Sequence, residues 1–510
     1  MEPSQGHSHA QTIQSNLTLP ARIDYIEPLQ QYLHSLCHIH GCDQQDILMI
    51  VLAVEEAVSN VIQHGYADDD QGTLEITFAM GTADMEITIH EQGLPFDPAM
   101  LATYGQEAIS SPADVEKGLG LRLMKGAMDR VEFVNLGKKG KLVKMSKYFK
   151  NHRVDAYDSS HKLQRETAPD TPPVTPPFTI RPLAREEALE VSRCAYRAYG
   201  YTYREFIYYP QKIWEMNQEG TLQSFVLVDS QNTLLGHLAL SRATPGARSA
   251  ELTAAFIDPA CRGRRLLNDL TTAVLDAAQH QGIGEAFVHA VTSHPASQKG
   301  GARSGFLPTG LLLAALFPDL EFKALTGRVV QKESALLMFK LLKTRPPLTL
   351  HVPKRYAQLI LDLATSLGRE VCIRETIMPL PHRSDGAGNH YYQVDEFNFT
   401  EIRIRTFGED VFEELRHRVR GYIQQKTDVI YLYLDMENPL SPAFTTRCFH
   451  LGFFFCGYAP GEMDGHDALI LQRTNALHID FSAITLAHEQ ARKIMEFIKA
   501  DMPATFQEDV

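Results

Sequence analysis

The chain has 510 residues, 44% hydrophobic and 22% charged, with a net charge of −13. That length exceeds what one hydrophobic core organises and implies roughly three or four domains of ~150 residues. The ordinary globular composition excludes a largely disordered or fibrous chain, and the acidic balance argues against a general nucleic-acid binder, which needs a basic face.

The opening MEPSQGHSHAQ lacks the basic start and apolar core of a signal peptide. The longest apolar run, GLLLAALF at 310–317, is far short of the ~20 residues that span a bilayer. With seven scattered cysteines, the expected setting is a reducing cytoplasm without membrane attachment. The cluster CHIHGC at 37–42 matches no standard zinc spacing and continues an amphipathic helix marked by Tyr25, Leu29, Leu33 and Leu36, so no metal is expected there.

In chain order the pattern predicts a strand near 13–19, helices at 24–40 and 44–65, and a hairpin over 73–90. A loop, a helix at 119–129 and two strands over 131–149 complete an α/β sandwich, since LEITFAM and MEITIHE alternate as strands with one face on helices must. Residues 151–177 turn polar and end ETAPDTPPVTPPF, an extended linker that supports neither helix nor central strand. Beyond it, FTIRPL, SFVLVDS, LLGHLALSRA and AELTAAFID read as strands, followed by a helix at 266–281, the strand EAFVHAVT and a helix near 295–304. A weaker break is expected at 343–353 and a surface loop at 378–390. The order strand (FTEIRIRT), helix (409–425), strand (DVIYLYLD), helix (441–451), strand (FFFCGY) then returns, a divergent internal repeat. The expected division is 13–150, linker 151–177, 178–345, 346–475 and a helical tail, LAHEQARKIMEFIKA, within 476–510.

In VEEAVSNVIQHGY (54–66), Glu56, Asn60 and His64 recur every four residues and stack into one polar stripe. Leu52, Val54, Val58, Val61 and Ile62 cover the remaining faces, so the stripe must meet water or a ligand. Two further stretches follow: HEQGLPFDP (90–98) at a strand end, and KGLGLRLMKGAMD (117–129) entering a helix. In this order and spacing the three resemble the N, G1 and G2 boxes of the GHKL ATPase superfamily, the group of gyrase, MutL and histidine-kinase ATP domains. Within it they are most similar to the bacterial anti-sigma factor serine kinases, and the resemblance covers about 13–150.

The resemblance implies Mg-ATP as cofactor and a role for each matching residue. Asn60 would offer its amide oxygen to magnesium, a hard ion that takes oxygen ligands. Glu56, one turn earlier, would accept the proton of an attacking serine hydroxyl or water. His64 continues the stripe as a phosphate contact or a helix-end hydrogen bond. Glu91 stands where the family almost always has Asp, as acceptor for the adenine amino group, while Gly93 permits close approach to the base and Asp97 frames the pocket. Gly118 and Gly120, with Lys117 and Leu121 beside them, would present N–H groups to the phosphates, helped by Arg122 and Lys125. The stretch LATYGQEAISSPADVEKG between the last two boxes has the small and polar residues of a lid. No GxxxxGK[ST] loop occurs.

The stretch AAFIDPACRGRRLLNDL…SHPASQKGGARSGFLPTG resembles the central half of a GNAT acetyltransferase, spanning about 178–343. That implies a strand splayed near 251–258 and a loop, Arg262, Gly263, Arg264 and Arg265, that grips the pyrophosphate of acetyl-CoA. Arg265 and Leu267 stand where the family has small residues. Aligned on Gly305 and Phe306, His294 and Ser297 take the first two motif positions, and Gly301 takes that of the catalytic tyrosine. Glu251 is either a base or a partly exposed strand glutamate. The same offsets recur from Ser441 to Gly452 and Phe453, but acids in RTFGEDVF precede the helix at 409, implying a degenerate half without cofactor.

The combined expectation is a regulator whose kinase domain phosphorylates a serine on a small anti-sigma-antagonist-like protein, or engages a sigma factor, with a homodimer through the kinase domain left open by the resemblance. The alternatives are a non-catalytic nucleotide-responsive switch and an acetyl-CoA-dependent acetyltransferase regulated by the ATP domain.

Overall fold

The computed structural model describes residues 13–65, 72–81, 83–91, 123–124, 126–135, 140–154, 176–201, 203–258, 261, 265–316, 331–384, 389–391, 398–475, 477 and 479–502.

Five antiparallel strands, β1 (Ile13–Pro20), β2 (Thr73–Met80), β3 (Asp84–Glu91), β4 (Arg130–Asn135) and β5 (Lys141–Tyr148), form a sheet in the order β1-β2-β3-β5-β4. Helices α1 (Ile26–Ile39) and α2 (Gln44–Gly65) cover it. Period-2 alternation places Leu74, Ile76, Phe78, Ile87 and Ile89 on the covered face, against Leu29, Leu33, Ile50, Val54, Ala57, Val58 and Val61. Glu91 ends that same inward row of β3. Leu52, expected among the covering residues of α2, is instead exposed, as is Leu48 one turn earlier. Of the expected helix at 119–129, residues 123–124 and 126–127 are helical and the rest lies outside the described residues or past its end.

Twelve of the remaining strands join one sheet, in the order β15-β16-β17-β19-β18-β11-β12-β10-β9-β8-β7-β6. Its first part is β6 (Thr179–Pro182), β7 (Leu222–Val228), β8 (Leu234–Ser241), β9 (Ser249–Ile257), β10 (Glu285–Val291), β11 (Leu307–Leu312) and β12 (Ala335–Leu341). Its second part is β15 (His390–Tyr391), β16 (Phe399–Ile404), β17 (Val429–Asp435), β18 (Phe454–Met463) and β19 (His466–Thr474). Two helices not anticipated from the strand pattern, α3 (Ala188–Tyr199) and α4 (Pro210–Glu219), lie before β7. The second has ordinary punctuation: Pro210 opens it and Gly220, in the left-handed region, closes it.

The internal repeat is present as a repeat of topology. Parallel β9 and β10, then antiparallel β12 and β11, correspond to parallel β16 and β17, then antiparallel β19 and β18. The corresponding helices are α5 (Leu266–His280) and α6 (Ala296–Arg303) in one half, and α8 (Glu409–Gln424) and α9 (Ser441–Phe449) in the other. The halves meet where β11 pairs with β18, at Gly310 opposite Gly457. A Cβ on either residue would come within 2.8 Å of the other's Cα, so the seam needs both glycines. The 343–353 stretch, expected as a break, holds β13 (Leu348–His351), which pairs in parallel with β14 (Val371–Arg374) across α7 (Lys354–Ser366). α10 (Glu489–Asp501) packs on β11 and β18 at the seam.

A buried charge cluster also crosses the seam. Arg369 bonds Glu285 of β10 (3.0 Å) and Asp467 of β19 (3.1 Å), and Arg345 reaches Glu285 (3.2 Å). Each acid thus finds an arginine, as burial requires.

Candidate functional sites

On α2, Asn60 is buried (8% exposed) and Glu56 half-buried. Asn60 Nδ2 donates to Glu56 Oε1 at 3.0 Å. A carboxylate accepts only, so the amide is fixed with its nitrogen toward Glu56 and Oδ1 turned away, without a hydrogen-bond partner among the described residues. That is the donor a hard divalent ion takes, and it adds no charge. The neighbouring Glu55 is used differently: its Oε2 accepts from Gln30 Nε2 of α1 at 2.7 Å, so of two adjacent glutamates one ties the helices together and the other faces the stripe. Glu91 is 3% exposed at the end of β3, the strand on which α2 packs. The side chain of His64 and all of Gly93, Asp97, Lys117, Gly118, Gly120, Leu121, Arg122 and Lys125 lie outside the described residues. Three predicted site residues, Glu56, Asn60 and Glu91, are therefore placed on the α2/β3 layer.

A second polar site lies in the twelve-stranded sheet. Parallel β9 and β10 pair only over Ser249–Glu251 and Glu285–Phe287, then part, while their counterparts β16 and β17 stay paired over six residues. The divergence coincides with a register shift between β8 and β9 and with Ala254 at φ 51°. Three side chains fix this kink. His237 Nδ1 bonds Ala254 O (2.8 Å), Tyr199 OH donates to Ala255 O (2.6 Å), and Ala254 N donates to Tyr203 OH (2.9 Å). Full burial holds His237 at about 4, neutral at ordinary pH.

Glu251 is a strand glutamate of intermediate exposure, and it is paired on two sides. Its side chain is 13% exposed and held by Arg204 (2.9 Å) and by His289 Nδ1 (2.9 Å). Burial raises its pKa, but Arg204 and His289 outweigh that and bring it to about 2. A carboxylate so stabilised is a poor proton acceptor, which counts against the base role. Arg262, Gly263 and Arg264 lie outside the described residues; Arg265, in the left-handed region at φ 59°, is the residue before α5, and Leu267 is exposed. Gly301 faces the sheet, where a Cβ would meet Met338 Sδ at 3.3 Å and Val288 Cγ2 at 3.7 Å. His289, Arg204 and Tyr203 were not among the residues singled out from sequence. A lone histidine in the apolar strand EAFVHAVT was the available signal.

Two family models match the chain: a histidine kinase-like ATPase domain over residues 19–147 and the acetyltransferase (GNAT) family over 186–306. The serine-protein kinase RsbW of Bacillus velezensis is 31% identical over 142 residues, 27% of this chain and 88% of the relative. RsbW of Bacillus cereus is 29% identical over the same length, 27% of this chain and 87% of the relative. Among solved structures, spermidine/spermine N-acetyltransferase SpeG of Vibrio cholerae is 18% identical, covering 32% of this chain and 95% of that one at a TM-score of 0.27. Through its amino-terminal sandwich the chain belongs to the RsbW family of histidine kinase-like ATPases, and residues 186–306 behind it match the acetyltransferase (GNAT) family. Both likenesses indicate transferase chemistry.

Proposed function

We propose that residues 13–150 bind Mg-ATP and transfer its γ-phosphoryl group to a serine of a small anti-sigma-antagonist-like protein, in a cytoplasmic regulator that also engages a sigma factor. The observation that carries this is the Asn60–Glu56 pair: one hydrogen bond orients a neutral oxygen ligand and holds a carboxylate a turn away, in a segment 31% identical to RsbW. Asn60 would hold magnesium, which offsets the triphosphate's charge when bound. Glu56 would take the serine hydroxyl proton, Glu91 would accept from the adenine amino group beside Gly93 and Asp97, and Lys117, Gly118, Gly120 and Leu121 would cradle the phosphates, with His64 near them. All seven cysteines are free thiols, which supports the cytoplasmic assignment.

In this reading residues 151–177 are a linker, 178–345 an acetyl-CoA-binding domain, 346–475 a degenerate counterpart and 476–510 a helical tail. In that counterpart β16 and β17 stay paired over six residues, unlike β9 and β10. The test of the kinase assignment is Glu56→Gln in the full chain. Mg-ATP affinity should stay within about threefold while turnover of labelled ATP falls ~10²-fold or more. Unchanged turnover would remove Glu56 as base.

A further inference from the structure

The pair Glu251 and His289 stands where β9 and β10 part: Glu251 and Phe287 are the last paired residues, and His289 is two positions beyond on the same face. We propose that His289 is the general base of acetyl transfer to a primary amine at this cleft, with Glu251 as its positioning carboxylate. This rests on the acetyl-CoA reading of residues 178–345 and goes beyond it by assigning the proton acceptor.

Glu251, being ionised, can only accept, so the proton between the two lies on His289 Nδ1. The neutral ring therefore carries its lone pair on Nε2. Among the described residues Nε2 has no hydrogen-bond partner, and the side chain is 24% exposed. A carboxylate fixing an imidazole in one tautomer, with the far nitrogen free, is the arrangement a general base needs. Phe287 packs edge-on against the ring at 5.6 Å and limits its rotation.

The charged groups around His289 come from three elements. Glu251 lies on β9, Arg204 precedes α4 and shares Glu251, and Glu462 of β18 approaches from the second half. Ser249 Oγ donates to Glu462 Oε1 at 2.5 Å, and Arg403 lies 3.7 Å from its other oxygen. The degenerate half thus contributes a carboxylate to the cleft of the first. Burial raises the pKa of Glu462, and Arg204 and Arg403 face the two acids, so the charges around His289 are balanced.

The step balances without another reactant. His289 Nε2 takes one proton from the ammonium, and the free amine forms a C–N bond to the thioester carbon as the C–S bond breaks. The extra proton on the new amide nitrogen passes to the departing thiolate, leaving N-acetyl amine, free thiol and a protonated imidazole.

The test uses the full chain with acetyl-CoA and n-butylamine, following thiol release across pH, with acetyl-CoA binding measured in parallel by calorimetry. His289→Ala should bind acetyl-CoA as the wild type does, lose ~10²-fold in kcat, and recover at least about tenfold when imidazole is added. Glu251→Ala should lower kcat without changing KM for acetyl-CoA. A His289→Ala chain within twofold of wild type, or one that imidazole does not rescue, would overturn the assignment. So would a wild type that binds acetyl-CoA and leaves butylamine unmodified. Failure of the wild type to bind acetyl-CoA is a different result and removes the acetyl-transfer reading itself.

Discussion

Lys212 of α4 lies 2.5 Å from Asp84, at the turn between β2 and β3, and so ties the ATPase sandwich to the acetyltransferase-like domain. Glu215 is 3.6 Å from the same ammonium, and Tyr148 stacks on Tyr209 at 5.0 Å beside them. Ala83 and Val154 complete the contact by joining the apolar cluster of Ile207, Tyr208 and Tyr209. The two domains share a packed interface even though 151–177 reads as a linker.

One lysine serving two buried acids makes the interface asymmetric to mutation. Lys212→Met removes the ammonium that Asp84 and Glu215 share, and should destabilise the chain by ~3–5 kcal/mol. Asp84→Asn keeps the Lys212–Glu215 pair and should cost clearly less. Urea titration of the two variants compares them directly; equal losses would contradict this account of the contact.

Acid should weaken the cleft of the second domain before it affects a variant lacking Glu251. The folded pKa of Glu251 lies at about 2, below its ordinary 4.5. A depressed carboxylate contributes stability that is complete above the unfolded value and is lost as pH falls toward the folded one. The window is therefore roughly pH 4.5 to 2, and the contribution is on the order of 3 kcal/mol. Acid titration monitored by near-ultraviolet circular dichroism should show this loss in the wild type and a flatter profile in Glu251→Gln, which is less stable at neutral pH.

The seam between the repeated halves should not tolerate a single methyl group. Gly310→Ala or Gly457→Ala brings a Cβ to 2.8 Å from the facing Cα, a backbone contact that cannot rotate away. A cost of ~1–3 kcal/mol follows from overpacking, measurable as a fall in thermal midpoint. Gly246, where a Cβ meets nothing within 4 Å, is the control and should tolerate alanine.

Much of this was legible in the chain. The stripe of Glu56 and Asn60 follows from helical spacing alone, and the repeated Gly-Phe at 305–306 and 452–453 anticipated two halves whose glycines both sit at positive φ. The chain did not show that the halves share one sheet, because a long-range pairing such as Gly310 with Gly457 leaves no local signature. The role of Glu251 was hidden for the same reason. Its partners Arg204 and His289 are 47 and 38 residues away, and an isolated strand glutamate carries no mark of burial. Leu52 was misplaced because an apolar residue on a helix says nothing by itself about which side the sheet occupies.

Calorimetric titration of ATP onto the full chain, with and without magnesium and repeated on Asn60→Ala, tests the central claim most directly. The account predicts saturable binding that magnesium strengthens and that Asn60→Ala weakens at least tenfold in the presence of the metal. Binding that is absent at millimolar ATP, or that is identical with and without magnesium and unchanged in Asn60→Ala, would contradict it.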